Sequence, residues 1–532
     1  MASRPLRSSA TFIKSAAWLW EGWEHLKSST IAAGRGKGPA ARTINWGTQM
    51  TISEGVRRDH ADERLQGGQL GTTSVVFMVL AASAPLAVVV ALMPIAFAYG
   101  NGAGLPGAYF IAVMAMILFA IGYVRIIPFV KNAGAFYAYI AAGFGKEIGL
   151  AAAFMSATAY FTLCGSTLAA LAFFCADLFK TMTGMDTHWA VWGILSTLLI
   201  FFVSTRKITS AAIVLTLVLL TEIVVIVALD IAVWVRLGPP AFNLSDFSIP
   251  SVFAPGLGIA LIYAFNGLAG IEGTAIYQEE AKDRTRTTKR ATFIALLLAG
   301  VFYILTAWSL ASAVGSGHVA AIAGADPGHF VFAQANDYLG AWSGTMFSIL
   351  VITSAFAASL GLFNNASRYV FALARDRVLP ATFAKTHPVN HSPRNAAVLL
   401  GSILLVVIVL SAVSGLDPLL NVSPALIGIG SISLMLLIVL TSFAIAVFFA
   451  RRGEISIAKT AAPVAGGVVV GIASWMAITN YSALTGVDSP VVNSLIWVVP
   501  ATALIGFCLA VYLRAAKPET YGNIGASRVE AA

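Results

Sequence analysis

The chain has 532 residues, of which 58% are hydrophobic and only 11% are charged, and its mean hydropathy is +0.83. An ordinary soluble domain carries about 25% charged residues, so this composition excludes a soluble globular protein. The formal charge of +9 is not gathered into a basic stripe with interleaved aromatic residues, which argues against a nucleic-acid partner.

The N-terminal region differs from the rest, because residues 1–70 are polar and charged. We interpret it as a cytoplasmic tail, followed by a membrane-embedded domain at 71–515 and a second cytoplasmic tail at 516–532. Residues 12–27 (FIKSAAWLWEGWEHLK) predict a short interfacial helix with a tryptophan-bearing face. A second methionine begins a more ordinary polar leader, which suggests that residues 1–49 come from a mis-assigned start.

The membrane-embedded domain contains a series of long apolar segments. A helix needs roughly 20 apolar residues to cross a bilayer, and about twelve segments meet this requirement. They are centred on residues 74–98, 107–124, 148–174, 189–204, 211–236, 253–277, 291–313, 344–371, 396–414, 424–450, 460–479 and 490–513. The sequence therefore predicts an all-α integral membrane protein with twelve transmembrane helices.

Basic residues alternate along the connections between these segments. Every connection after an even-numbered segment carries lysine or arginine, whereas those after odd-numbered segments offer only Lys180 and Arg236. Because basic loops stay on the cytoplasmic side, the pattern predicts a multi-pass plasma (inner) membrane protein with both termini in the cytoplasm. The longest outer connection, 314–343, has turn-forming glycines and is expected to hold a short helix over the extracellular mouth.

Two of the twelve segments carry interruptions near their middle. The first contains AASAPLAVV at 81–89, and the sixth contains FNGLAGIEG at 265–273. Proline removes a backbone donor and glycine loosens a helix, so both segments are expected to break. Breaks five segments apart suit two five-helix inverted repeats, with the last two helices appended. Close packing of helices through small residues is the alternative explanation.

A break in a membrane helix can form a binding site, because it frees main-chain groups to bind a ligand. The second half exposes N–H groups with positive dipole potential, which suits a substrate carboxylate, and the carbonyls of the first half suit an ammonium group. Both ends of a zwitterion could thus be held by main-chain groups. The predicted substrate-binding residues are Ala82, Ser83, Ala84, Pro85, Phe265, Asn266, Gly267, Ala269 and Gly270, with further contacts from helices 3, 8 and 10.

Three stretches of the chain carry a family resemblance. They are Leu268–Glu272 followed by Glu279-Glu280, residues 128–154, and residues 364–396 (NNASRYVFALARDRVLPATFAKTHPVNHSPRNA). Together they resemble the amino acid–polyamine–organocation (APC) superfamily of permeases over about residues 70–515. The resemblance implies that 71–515 is a transporter domain that moves amino acids by alternating access.

The chain also departs from the pattern of that family. It has AASAP where many members have a glycine-rich run in helix 1, and Leu268 and Ile271 where phenylalanines are usual. The substrate therefore stays open between amino acids and polyamines or monoamines, and exchange is the alternative to symport. A membrane-bound amino acid sensor is the rival from another class. No Walker motif or nucleophile elbow is present, so we expect neither an enzyme nor a cofactor.

Ionisable residues within the segments are candidates for coupling or gating, because such groups are costly in a membrane. Glu272 matches the helix 6 glutamate of the family, and Glu222 lies within helix 5. Protons are favoured as the coupling ion, with sodium held by the hydroxyls of Thr353 and Ser354 as the alternative. Asp230 is interpreted as interfacial. Four charged residues are expected to form a cytoplasmic network that opens and closes during transport: Glu279, Glu280, Arg375 and Asp376.

Overall fold

The computed structural model describes residues 71–130, 136–205, 211–271, 274, 283–386 and 392–524, and these are all helix, turn or loop, without a strand. They belong to one compact unit, Leu65–Ala532. The leader, with its predicted interfacial helix at 12–27 and the alternative start, lies outside the described residues.

The main helices are joined by connections that in places hold shorter helical segments. In chain order they are α1 (Thr72–Ala82), α2 (Pro85–Tyr99), α3 (Leu105–Ile126), α4 (Phe136–Phe144), α5 (Lys146–Thr183), α6 (Trp189–Ser204), α7 (Ala211–Leu237), α8 (Leu257–Gly267), α9 (Arg284–Val314), α10 (Val319–Ala325), α11 (Phe330–Leu339), α12 (Trp342–Arg375), α13 (Arg394–Val413), α14 (Ser423–Arg451), α15 (Ala462–Thr479), α16 (Val498–Ala516) and α17 (Pro518–Asn523).

These helices coincide with the twelve predicted segments. Within the described residues, nine helices are long and apolar enough to cross a membrane, and α2, α6 and α8 are shorter apolar helices. The first segment corresponds to α1 and α2 together, and the sixth begins with α8. The chain is thus a multi-pass membrane protein, while twelve crossings and the inverted repeat stay predictions.

The centre of the bundle is α5, which packs against α12, α14 and α16. With 38 residues it is about 57 Å long, well beyond the roughly 30 Å of a hydrocarbon core, so it must tilt or project from the membrane. Beside it α4 lies very close to α14, because a Cβ on Gly143 would stand only 2.4 Å from the Ala444 carbonyl oxygen. Small residues of this kind let membrane helices approach one another.

The outside of the bundle is apolar. Large aliphatic side chains project from it with little cover, for example Val235 at 80% exposure and Val413 at 83%. Several hydroxyls inside the bundle bond to their own helices, as where Thr197 Oγ1 donates to the Gly193 carbonyl oxygen at 2.7 Å. An apolar exterior around helices, whose backbone groups bond internally, is what a hydrocarbon environment requires.

The connection 314–343 forms two short helices, α10 and α11, where one was predicted. His329, just before α11, fastens this connection to α5. Its Nε2 atom lies 3.1 Å from Asp177 Oδ1, and its Nδ1 atom lies 3.0 Å from Asp326 Oδ2. Hydrogen bonding to Asp177, helped by Asp326 and opposed by partial burial, raises the pKa of His329 from 6.5 to about 9. The imidazole is therefore charged at neutral pH.

Candidate functional site

The first apolar segment breaks where the sequence predicts. The helix α1 ends at Ala82, Ala84 adopts a left-handed conformation with φ 44°, and Pro85 begins α2. Proline suits this position because its fixed φ fits the first helical turn and its missing N–H needs no partner there. The Ser83 N–H still bonds to the Val79 carbonyl at 3.3 Å, so the interruption is confined to about two residues.

The sixth segment breaks as well. The helix α8 ends at Gly267, and the chain then turns through Leu268 to Ile271. The Ala269 N–H bonds three residues back to the Asn266 carbonyl at 2.9 Å, and Gly270 has φ 99°, which strongly favours glycine. The predicted coupling residue Glu272 lies outside the described residues.

A cavity of about 60 Å³ lies between the two breaks. Four of the predicted binding residues, Ser83, Ala84, Asn266 and Ala269, form part of its wall. The complete lining is Ser83, Ala84, Ala87, Val88, Ala91, Leu92, Leu163, Ser166, Thr167, Ala170, Phe174, Asn266, Ala269, Val351, Ala355, Ala358, Leu362, Ser423 and Ile427. Both interrupted segments therefore face one cavity together with α5, α12 and α14.

The other predicted binding residues have different surroundings. Phe265 lines a smaller space of about 10 Å³ on the far side of Asn266 and Ala269. Gly267 faces α2, α3 and α9, since a Cβ there would lie 3.3 to 3.4 Å from side chains of all three helices. Pro85 is buried at the start of α2. Ala82 is the last residue of α1, just before the first break, and Gly270 lies in the turn that follows α8.

The sequence predicts contacts from the third, eighth and tenth segments, which correspond to α5, α12 and α14, but not the individual residues on them. Ser166 of α5 and Ser423 of α14 place their hydroxyl oxygens 2.9 Å apart. Thr167, one residue on, donates back to the Leu163 carbonyl at 2.9 Å. Isolated hydroxyl residues in apolar helices are the sequence feature that could have indicated these lining residues. The sequence alone does not show which of these hydroxyls come together.

The cavity wall is neutral. Its polar side chains are hydroxyls and the Asn266 amide, and the described lining contains no acidic, basic or histidine side chain. Asn266 Nδ2 donates to Ser431 Oγ at 3.3 Å, which holds the amide between the cavity and the smaller space. The described wall can therefore meet a ligand with hydroxyl, amide and main-chain groups, and it presents no charged side chain.

Glu222 of α7 is hydrogen-bonded to the start of α2, just after the first break, both directly and through Ser354. Its side chain is 3% exposed, and Ser354 Oγ of α12 donates to its Oε2 atom at 2.8 Å. The same Ser354 oxygen accepts from the Ala87 N–H at 3.3 Å, and the Leu86 N–H also bonds to the Glu222 carboxyl. The first amides of α2 are thus linked to the Glu222 carboxyl group, that of Leu86 directly and that of Ala87 through Ser354. Thr353, next to Ser354, instead donates to the Leu350 carbonyl of its own helix at 2.9 Å.

Asp230, interpreted above as interfacial, is buried within the bundle and does not face solvent. Its side chain is 8% exposed and lies between α7 and α9, where Thr306 Oγ1 donates to its Oδ2 atom at 2.8 Å. The sequence places Asp230 near the end of an apolar segment, but helix packing decides whether such a residue meets solvent or a neighbouring helix.

The structure describes only two members of the charged network that the sequence predicts near the end of α12. Arg375 Nε lies 4.0 Å from Asp376 Oδ1, and the arginine side chain is 69% exposed. Glu279 and Glu280 lie outside the described residues, so the network stays a prediction.

Comparison with known proteins adds to this geometry. A family model described as "Amino acid permease" matches residues 70–509. A stretch of 193 residues is 29% identical to an uncharacterized transporter of Rhizobium meliloti (strain 1021) and covers 35% of this chain. The match spans 40% of the length of that relative. Both findings indicate a transporter rather than an enzyme. The chain belongs to the amino acid permease family of the APC superfamily.

Proposed function

We propose that this protein is a secondary active transporter that carries small neutral amino acids across the plasma membrane by proton symport. It would have twelve transmembrane helices in two inverted repeats plus two, with both termini cytoplasmic. The observation that carries the proposal is the cavity between the two helix breaks. Rocking of the broken helices against α5, α12 and α14 would open this space to each side in turn.

The size of the cavity favours a small substrate. One water needs about 10–15 Å³ of such space, so the 60 Å³ observed holds only a few non-hydrogen atoms. Glycine, alanine and serine are of this size, whereas tryptophan or a polyamine would require the wall to move apart.

The neutral wall favours a zwitterion over a cation. A dication would need acidic side chains facing it, and the described lining has none. The two charges of an amino acid cancel overall and can be met by main-chain groups at the breaks. This supports an amino acid over the polyamine or monoamine alternative.

Glu222 supplies a physical basis for proton coupling. A substrate carboxylate at Ser83 and Ala84 would lie beside the α2 start that Glu222 already occupies. Two carboxylates sharing one site cannot both stay ionised, so substrate binding would favour protonation of Glu222. The substrate and one proton would then move together, which is symport.

A thermal-shift screen of the purified protein tests the substrate class. Glycine, L-alanine and L-serine should raise the melting temperature, while L-arginine, L-tryptophan and putrescine should not, because a ligand that binds only the folded state stabilises it. Stabilisation by putrescine alone would replace the proposal with an amine permease. Stabilisation by an amino acid without flux in proteoliposomes would support a sensor.

A further inference from the structure

The connection 314–343 contacts two parts of the bundle that the proposed rocking would move relative to each other. Its first helix, α10, packs along α2, the second half of the first interrupted segment. A Cβ on Gly324 would lie 3.6 Å from the Ala98 Cβ, and a Cβ on Gly102, just beyond α2, would lie 3.6 Å from the Ala320 Cβ. Because closely packed elements shift as a unit, we expect α10 to move together with α2.

The start of α11 rests instead on α5. A Cβ on Gly328 would stand only 2.7 Å from the ring of Phe173, so the connection lies very close to α5 here. Phe332 packs edge to face against Phe174, with ring centroids 5.9 Å apart. Phe174 is itself part of the cavity wall. The α11 end of the connection is therefore separated from the proposed substrate space by a single aromatic ring.

A charged side chain fastens this end of the connection to α5. Both ring nitrogens of His329 face carboxylate oxygens, with Nε2 3.1 Å from Asp177 of α5 and Nδ1 3.0 Å from Asp326. Only the protonated imidazole carries two N–H donors, so this geometry suits the charged form. Lys180 of α5 pairs with Asp186 at 2.9 Å. The ion pair of Asp177 with His329 thus joins α5 to the connection.

The exposure of this ion pair suits a contact that opens and closes. The His329 side chain is 45% exposed and that of Asp177 is 23% exposed. Ion pairs that reach solvent are weak, because water stabilises the separated charges. The pair can therefore favour the closed form and still break in each transport cycle, whereas a deeply buried pair would be much harder to separate.

We propose that the His329–Asp177 ion pair is an outer latch, which keeps the cavity closed to the outside by tying α10 and α2 to α5. Opening to the outside would carry α2 and α10 away from α5 and would separate the two side chains. The latch goes beyond the proposed function, because it involves neither the substrate nor the coupling ion. It rests on the proposed orientation, in which this connection faces outward.

A cysteine on the cavity wall can report how often the cavity opens. Ala355→Cys provides this reporter, because Ala355 lines the cavity. Cys175 and Cys508 are replaced by alanine, while Cys164 stays, since it is fully buried and does not line the cavity. Right-side-out vesicles at pH 7 are treated with a membrane-impermeant maleimide, and the rate of labelling is measured. The same protein without Ala355→Cys shows whether Cys164 reacts, which would indicate unfolding.

Breaking the latch should speed the labelling of the reporter. Asp177→Asn and His329→Gln each remove the ion pair, and we expect the reporter to react about two- to fivefold faster than in the parent protein. Cys164 should stay unlabelled in both variants. Asp186→Asn is the matched control, since it breaks an ion pair near the same end of α5 that does not include the connection 314–343. It should leave the rate unchanged.

Each outcome supports or overturns the latch. Equal rates in the parent protein, Asp177→Asn and His329→Gln would overturn it. Equal acceleration by Asp186→Asn, or labelling of Cys164 in the latch variants, would indicate a general loosening and would overturn it as well. Acceleration only in inside-out vesicles would overturn the proposed orientation and the outer latch with it. Labelling needs no transport, so faster labelling in a protein that fails to carry L-alanine would overturn the proposed function and support the latch.

Discussion

Ser354 connects three helices through one hydroxyl group. It donates to Glu222 of α7 and accepts from the Ala87 N–H of α2, while its own backbone belongs to α12. A serine in this place couples the state of the carboxyl group to the position of the helix break. If Glu222 takes up a proton, the pattern of donors and acceptors around Ser354 must change with it.

Ser354→Ala should therefore uncouple Glu222 from α2. The substitution leaves a buried amide and a buried carboxyl short of a partner, at about 1–3 kcal/mol. We expect gradient-driven uptake of L-alanine to fall at least tenfold in proteoliposomes. Ser354→Thr keeps the hydroxyl and serves as the control. If the alanine variant transports as well as the threonine variant, Ser354 has no part in coupling.

His329, which lies outside the apolar helices, makes the stability of the folded protein depend on pH. Its raised pKa of about 9 means that the ion pairs with Asp177 and Asp326 stabilise the protein fully below about pH 6.5. This contribution is lost as the pH rises through 9. We expect the melting temperature of the wild type to exceed that of His329→Gln at pH 7 and to approach it at pH 10. A constant difference between the two proteins would contradict the assignment.

At the scale of the helices, the break after α8 depends on one backbone conformation. Gly270 has φ 99°, where a side chain is strained by about 1–2 kcal/mol. Gly270→Ala should therefore lower the melting temperature and reduce uptake by shifting the turn through Leu268 to Ile271. Gly361→Ala in α12 is the matched control, because nothing lies within 4 Å of the added Cβ and helical alanine is favoured. Uptake by Gly270→Ala equal to that of the control would show that the conformation of this break is not required.

The helices and their interruptions could be predicted because they depend on local chemistry. Apolar runs fix where helices lie, Pro85 removes a backbone donor, and Gly270 permits a turn. The partners across the bundle could not be predicted in this way. Ser166 meets Ser423 although 257 residues separate them, and the burial of Asp230 depends on which face of α7 meets α9. Neither property is encoded in the periodicity of a single helix.

At the scale of the whole molecule, the bundle places its polar groups inside and its aliphatic side chains outside. The central helix α5, the two broken segments, α12 and α14 surround a space that is lined by polar but uncharged side chains, as the binding of a zwitterion requires. Glu222 of α7 lies beside this space and does not line it. In the proposed mechanism, this arrangement would separate substrate recognition from proton binding and join the two at the start of α2.

Filling the cavity tests this account most directly. Ala358 lies on its wall, and Ala358→Phe would occupy the space proposed for the substrate. Ala501→Phe adds the same bulk at an exposed position of α16 and serves as the control. The measurement is concentrative uptake of labelled L-alanine into proteoliposomes with the outside more acidic. We predict uptake by the wild type and by Ala501→Phe, and at least a tenfold loss in a folded Ala358→Phe. Wild-type uptake by Ala358→Phe would contradict the claim that the substrate passes between the two helix breaks.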